Sequence, residues 1–173
     1  MSKPPIVLFI GSVFPEPKSS AAGTRILQLI RFFQIHEYIV VFGSASKKSQ
    51  NSFDLKSIGV EEFHLQLNAS SFDEFVKDLN PHCVVFDRFM TEEQFGWRII
   101  DSCPNAIRIL DTEDLHFLRK AREASDLNET KFSKKFLKND IAKRELASIY
   151  RSDLSLIISE FEFDILSNEL NID

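Results

Sequence analysis

Short apolar runs alternate along this chain with longer segments whose apolar residues recur at helical spacing. The first run, Ile6 to Ile10, shows no polar alternation and is bounded by Pro4, Pro5 and Gly11. Such a run suits a central strand of a parallel sheet, because a strand covered on both faces loses its polar face. It empties into a Pro/Ser/Gly loop, after which Ile26, Leu29, Ile30 and Phe33 mark one face of a helix. Tyr38 to Gly43 predicts a second strand. A polar tract from Ser44 to Ser52 and a short helical piece over Phe53 to Ile58 lead through Gly59 to a partly exposed third strand, Glu61 to Leu67.

In the second half of the chain, Ser71 and Glu74 have capping-box spacing ahead of Phe72, Phe75, Val76 and Leu79, and Asn80-Pro81 stops that helix. Cys83 to Asp87 is a fourth strand. Thr91 and Gln94 form another capping box, opening a helix that carries Phe95, Ile99 and Ile100 and closes at Cys103-Pro104-Asn105. Ala106 to Asp111 reads as a fifth strand, followed by a loop and helix to Ala124 and a polar connector from Leu127 to Lys138. A helix over Ile141 to Arg151 shows Ile141, Ala142, Leu146, Ile149 and Tyr150 on its apolar face. Leu154 to Ser159 is a sixth strand, with Ser159 and Glu162 capping a last helix. Strictly alternating strands and helices predict an α/β fold, a doubly wound parallel sheet of about six strands with helices on both faces. The right-handed crossover rule gives the order 3-2-1-4-5-6.

That architecture fixes where chemistry can gather. Ligands of open α/β sheets bind where loops follow strand C-termini, near the positive ends of helices. Ser19, Ser20, Gly23, Thr24 and Arg25 crowd the start of the first helix, where backbone N–H groups could meet an anion or a sugar hydroxyl. The same serines could cap the helix, and Gly23 could let it pack close to the sheet. Asp87-Arg88, Asp111 to Asp114 with His116, and Ser159-Glu160 follow the fourth, fifth and sixth strands and should open onto the same rim. Acids around one crevice can bind sugar hydroxyls, or one can serve as a general base if its neighbours raise its pKa. Asp111 and Asp87 are the catalytic candidates; Ser20, Gly23, Thr24, Arg25, Arg88, Glu113 and Glu160 are the substrate-binding candidates. Asp111 or Thr112 could instead cap the helix that starts near Leu115, and Asp87 and Arg88 could pair with neighbours.

Composition narrows the classes. The 173 residues fit one domain with a real core, and 43% hydrophobic content fits a globular protein. No apolar run approaches the ~20 residues of a membrane helix, and MSKPP lacks a signal-peptide core. With two cysteines in no disulfide or zinc spacing, the chain reads as cytoplasmic. A net charge of −5 argues against a nucleic-acid binder, and the 17 Phe read as core and helix-face filler. His36, His64, His82 and His116 are scattered, so no metal site is expected; with neither G-x-G-x-x-G nor a P-loop present, no cofactor is expected. No nucleophile elbow occurs. One run stands apart: Arg119 to Arg144 holds nine Lys/Arg and four Asp/Glu, with Phe117, Phe132 and Phe136 interleaved. It is a solvated helix face or a patch docking peripherally on an anionic membrane at the inner face.

Four stretches then carry a resemblance: PEPKSSAAGTRILQLIRFF, HEYIVVF, RILDTEDLH and YRSDLSLIISEFEFDIL. In order and spacing the chain resembles the N-terminal half of group 1 glycosyltransferases of the GT-B fold. It departs from them where Ala22-Gly23 replaces a glycine pair, where Ile35 replaces the glycine before His36, and where Asp111 does not match the histidine that the family has near the end of the fifth strand. The resemblance implies a Rossmann-like, acceptor-side domain, cut just before its last strand, of an enzyme that transfers a sugar from a nucleotide-sugar donor. Its partners would be a sugar acceptor and, through a missing second domain, the donor; alone it would be inactive. A flavodoxin-like binding or switch module and a non-catalytic glycosyltransferase-like scaffold are the alternatives.

Overall fold

The structure, a computed structural model, describes residues 3–127 and 139–172. Its centre is a six-stranded, all-parallel sheet. The strands are β1 (Ile6–Gly11), β2 (Ile39–Ser44), β3 (Glu61–His64), β4 (Cys83–Asp87), β5 (Ile107–Asp111) and β6 (Leu154–Leu156), in the order β3-β2-β1-β4-β5-β6. The helices are α1 (Ala21–Ile35), α2 (Ser70–Leu79), α3 (Arg88–Ser102), α4 (His116–Leu127), α5 (Asp140–Arg151) and α6 (Glu160–Asp164), which runs into a π-helical turn over Ile165–Glu169. This is the Rossmann-like, doubly wound arrangement. The flavodoxin-type order 2-1-3-4-5 is a different one.

The period of two along the strands divides the core into two layers. On β1, Val7 and Phe9 face Ile26, Leu27 and Ile30 of α1, while Leu8 and Ile10 face Phe72 and Val76 of α2 and Phe95 and Ile99 of α3. Both sets are buried, which is why β1 reads as an unbroken apolar run. The reversal of strand order falls between β1 and β4, and register pairs Asp87 with Asp111 across β4 and β5. The two acids named from sequence therefore share one rim.

Several local expectations are corrected. The Ser71/Glu74 box does not form: Ala69 is the N-cap of α2 and makes no side-chain cap bond. Arg98 takes over that turn, donating to Ala69 O at 2.6 Å and to both oxygens of Asp73 at 2.7 Å. Thr91 does not open α3 either, because the helix follows β4 without a loop. Buried inside its first turn, the Thr91 hydroxyl donates back to Asp87 O and Arg88 O at 3.0 Å. Ser159 does cap α6, accepting from Glu162 N at 3.2 Å. The third and sixth strands end early, at His64 and Leu156.

Tyr150 and Ile100 turn outward from their helices, whereas Phe117, counted with the basic run, is fully buried in the core. Ile165 and Leu166 of the last helical segment are buried, although Phe161 is half exposed. Both cysteines are buried and free, and burial raises each thiol pKa. Most of the polar connector, with Phe132 and Phe136, lies outside the described residues. No helix among the described residues is long and apolar enough to cross a membrane.

Candidate functional site: a rim of acids and arginines

The C-terminal ends of β1, β4 and β5 bring Ser12, Asp87, Arg88, Asp111 and Glu113 together, and α1 adds Arg25. Asp111 is fully buried. It receives three hydrogen bonds from Arg25: Nε to each carboxylate oxygen at 2.9 Å and Nη2 to Oδ1 at 2.7 Å. The Asp111 hydrogen bonds raise the guanidinium pKa, so Arg25 stays charged despite partial burial.

Asp87 is held differently. Ser12 donates both its N–H, at 3.0 Å, and its hydroxyl, at 2.7 Å, to Oδ2. The Ser12 carbonyl in turn accepts from the Ser46 hydroxyl at 2.7 Å, which pins the serine. Oδ1 of Asp87 is buried with no hydrogen-bond partner, and Arg88 Nε stands 3.6 Å away. Arg88 Nη1 donates to Ser12 Oγ at 3.4 Å, a long bond.

Glu113 completes the group. Burial pushes its carboxyl up to about 7, with the nearby charges of Asp111 and Asp87 adding to the effect and Arg88 and Arg25 opposing it. Its Oε1 is buried without a partner. A carboxyl poised near neutrality between acids and arginines can accept or release a proton at cellular pH. Arg88 and Glu113 also have left-handed backbones, φ 72° and 63°. Among the described residues, three of the other four such non-glycine residues are asparagines, which tolerate that region, so two of the three costly cases described stand on this rim.

The remaining candidates build the loop or lie apart from the cluster. Ser20 caps α1, accepting from Gly23 N at 3.0 Å. Thr24 Oγ1 donates to Pro17 O at 3.3 Å. Gly23 is buried, and a Cβ there would come within 2.5 Å of the Glu16 backbone, so it lets the helix approach the loop. Glu160 is exposed at the start of α6. Neither Asp111 nor Thr112 caps α4, for Thr112 Oγ1 donates to Leu156 O at 2.9 Å. That cap comes from distant acids: Glu162 accepts from Leu115 N at 3.2 Å, and Glu145 accepts from His116 N at 3.1 Å and Phe117 N at 2.9 Å.

Sequence reasoning missed Ser12, Glu145 and Glu162 in these roles. A signal existed for Glu145, which lies three residues after Ala142 and four before Ile149 on the buried stripe of α5. None existed for Ser12, whose partner is 75 residues away.

Among the described residues, grooves also lie away from the rim. One of about 490 Å³ opens at the opposite end of the sheet beside Tyr38, His82 and Cys103, and one of about 560 Å³ runs along β6 beside Tyr150 and Phe163. Neither gathers opposed acids and arginines as the rim does. Among the described residues no group of three or more His, Cys, Asp and Glu is placed to hold a metal ion. The basic segment is described only at its two ends, where Arg119 pairs with Asp114, Lys120 with Glu123, Lys143 with Asp140 and Arg144 with Glu93. Compared with known proteins, the chain matches no family model and no curated protein.

Proposed function

We propose that this chain is the acceptor-side domain of a glycosyltransferase, with Glu113 as the group that takes the proton from the attacking hydroxyl. The observation that carries the reading is Glu113 itself, a carboxyl pushed up to about 7 just after β5, within electrostatic reach of Asp87 at the end of β4, where strand order reverses. In the reaction the acceptor oxygen would bond to the anomeric carbon of the donor sugar, its proton would pass to the Glu113 carboxylate, and the bond to the nucleoside diphosphate would break. Asp111, a catalytic candidate from sequence, has both oxygens engaged by Arg25 and acts here through its charge, helping to raise Glu113. Asp87 keeps one oxygen turned away from Ser12 and serves the acceptor.

The donor belongs to a second domain in this reading. A diphosphate needs positive charge, whereas three acids, Asp87, Asp111 and Glu113, face two arginines here, and Arg25 is already bound to Asp111. Equilibrium dialysis separates the possibilities: simple methyl glycosides should be retained by the chain, and UDP- or GDP-sugars should not. Retention of nucleotide sugars contradicts the reading, as does glycosyl transfer by the chain alone that Asp111→Ala abolishes.

A further inference from the structure

The rim buries two carboxylate oxygens and gives neither a donor: Asp87 Oδ1 and Glu113 Oε1. Leaving a buried acceptor unpaired costs about 1–3 kcal/mol, so two on one rim call for a cause. Asp87 is only 4% exposed, and its position is fixed by two short bonds from Ser12 to its other oxygen. Asp111, its neighbour in register, shows what a satisfied acid looks like here, with three bonds from Arg25. The Arg88 guanidinium stands beside the Asp87 orphan and is under-used: 3.6 Å from Asp87 Oδ1 and 3.4 Å from Ser12 Oγ.

The rim thus offers two acceptors and one donor with spare capacity. A phosphate can accept from Arg88 but has nothing to donate to the two carboxylates when it is fully ionised, and its charge adds to three acids opposed by two arginines. An ammonium can donate to the carboxylates and would balance the third acid, yet it has no lone pair with which to accept from Arg88. A hydroxyl does both.

We propose that the rim recognises an adjacent pair of hydroxyls on a neutral sugar, Asp87 Oδ1 and Glu113 Oε1 each accepting from one hydroxyl and Arg88 donating to a hydroxyl oxygen. This rests on the acceptor-side reading and narrows it, excluding phosphorylated sugars and aminosugars as the group seated here.

The test compares three sugar probes, with UDP and GDP run alongside, on the full chain at pH 8 by ¹H–¹⁵N chemical-shift titration: methyl α-D-glucopyranoside, glucose 6-phosphate and methyl 6-amino-6-deoxy-α-D-glucopyranoside, whose primary ammonium stays charged at this pH. The neutral glycoside is expected to bind about tenfold tighter than either charged probe and to shift the amides of Ser12, Arg88 and Glu113. Asp87→Asn, isosteric and checked for an unchanged spectrum, should weaken it about tenfold, as one hydrogen bond to a charged group implies. Glu113→Gln provides the same check should the first variant fold poorly. Tighter rim binding of either charged probe overturns this inference and leaves the acceptor-side reading standing. If no sugar probe reaches the rim while UDP or GDP does, both fall. Glycoside binding that ignores both substitutions, or no binding by any probe, also overturns it.

Discussion

Arg25 and Asp111, 86 residues apart in sequence, form a two-pronged ion pair in which the carboxylate is wholly buried and the guanidinium keeps 29% of its surface. It joins the first helix to the end of the fifth strand and so sets the floor of the rim. Removing one partner of a fully buried pair costs about 3–5 kcal/mol, because the other charge is stranded. With Arg25 partly in water, Arg25→Ala should cost nearer 2–3 kcal/mol. Urea unfolding at pH 7 measures this, and a loss under 0.5 kcal/mol, the size of an ordinary surface substitution, would mean that the pair holds nothing together.

Glu113 should make stability depend on pH in an unusual direction. Its pKa is raised on folding from 4.5 to about 7, so the folded chain holds the proton more tightly than the unfolded one. The contribution is fully present below about pH 4.5 and is lost as pH rises through 7. A full shift of this size corresponds to ~3 kcal/mol, and partial exposure of the residue reduces that to about 1–2 kcal/mol. Urea midpoints measured from pH 4.5 to 8 should fall less steeply for Glu113→Gln than for the native chain. Parallel curves would show that Glu113 titrates normally.

The start of α4 depends on acids from other helices. Glu145→Ala strands the N–H groups of His116 and Phe117 in the interior, and a loss of about 2–3 kcal/mol is expected. Glu145→Gln, which keeps one acceptor oxygen, should lose less. Amide exchange read at residues 115–117 should quicken in the alanine variant. Unchanged protection there would place the cap elsewhere.

The basic run from Arg119 to Arg144 is expected to bring the chain to anionic vesicles at low salt and release it at high salt, since each Lys or Arg near such a surface contributes about 1 kcal/mol. Arg119, Lys120, Lys143 and Arg144 have acidic partners, which weakens their share of the effect. Vesicle flotation reads it out. A chain that stays in the soluble fraction at low salt carries an ordinary solvated face.

The sheet was legible because its strands are unbroken apolar runs between turn signals, and α/β alternation with a fixed crossover hand leaves few orders open. The rim followed in part from strand ends: Arg25, Asp87, Arg88, Asp111 and Glu113 come together as expected, whereas Glu160, expected on the same rim, is exposed at the start of α6 outside that cluster. What was not legible is which acid is poised. Asp87 and Asp111 drew notice from sequence, yet Asp111 is spent on Arg25, and only burial beside two acids distinguishes Glu113. Capping motifs failed for a related reason. Ser159 sits where local spacing governs, whereas at Ser71 and Thr91 the long-range reach of Arg98 and the direct β4–α3 junction govern instead.

The most direct measurement is to locate a bound acceptor on the assigned amide spectrum of the full chain, titrated with methyl α-D-glucopyranoside and separately with UDP-glucose. The expected result is saturable shifts confined to Ser12, Asp87, Arg88 and the segment from Asp111 to Glu113 with the glycoside, and none there with UDP-glucose. Shifts by UDP-glucose at the rim, or glycoside shifts only at the opposite end of the sheet around Tyr38 and His82, would contradict an acceptor-side site at Glu113.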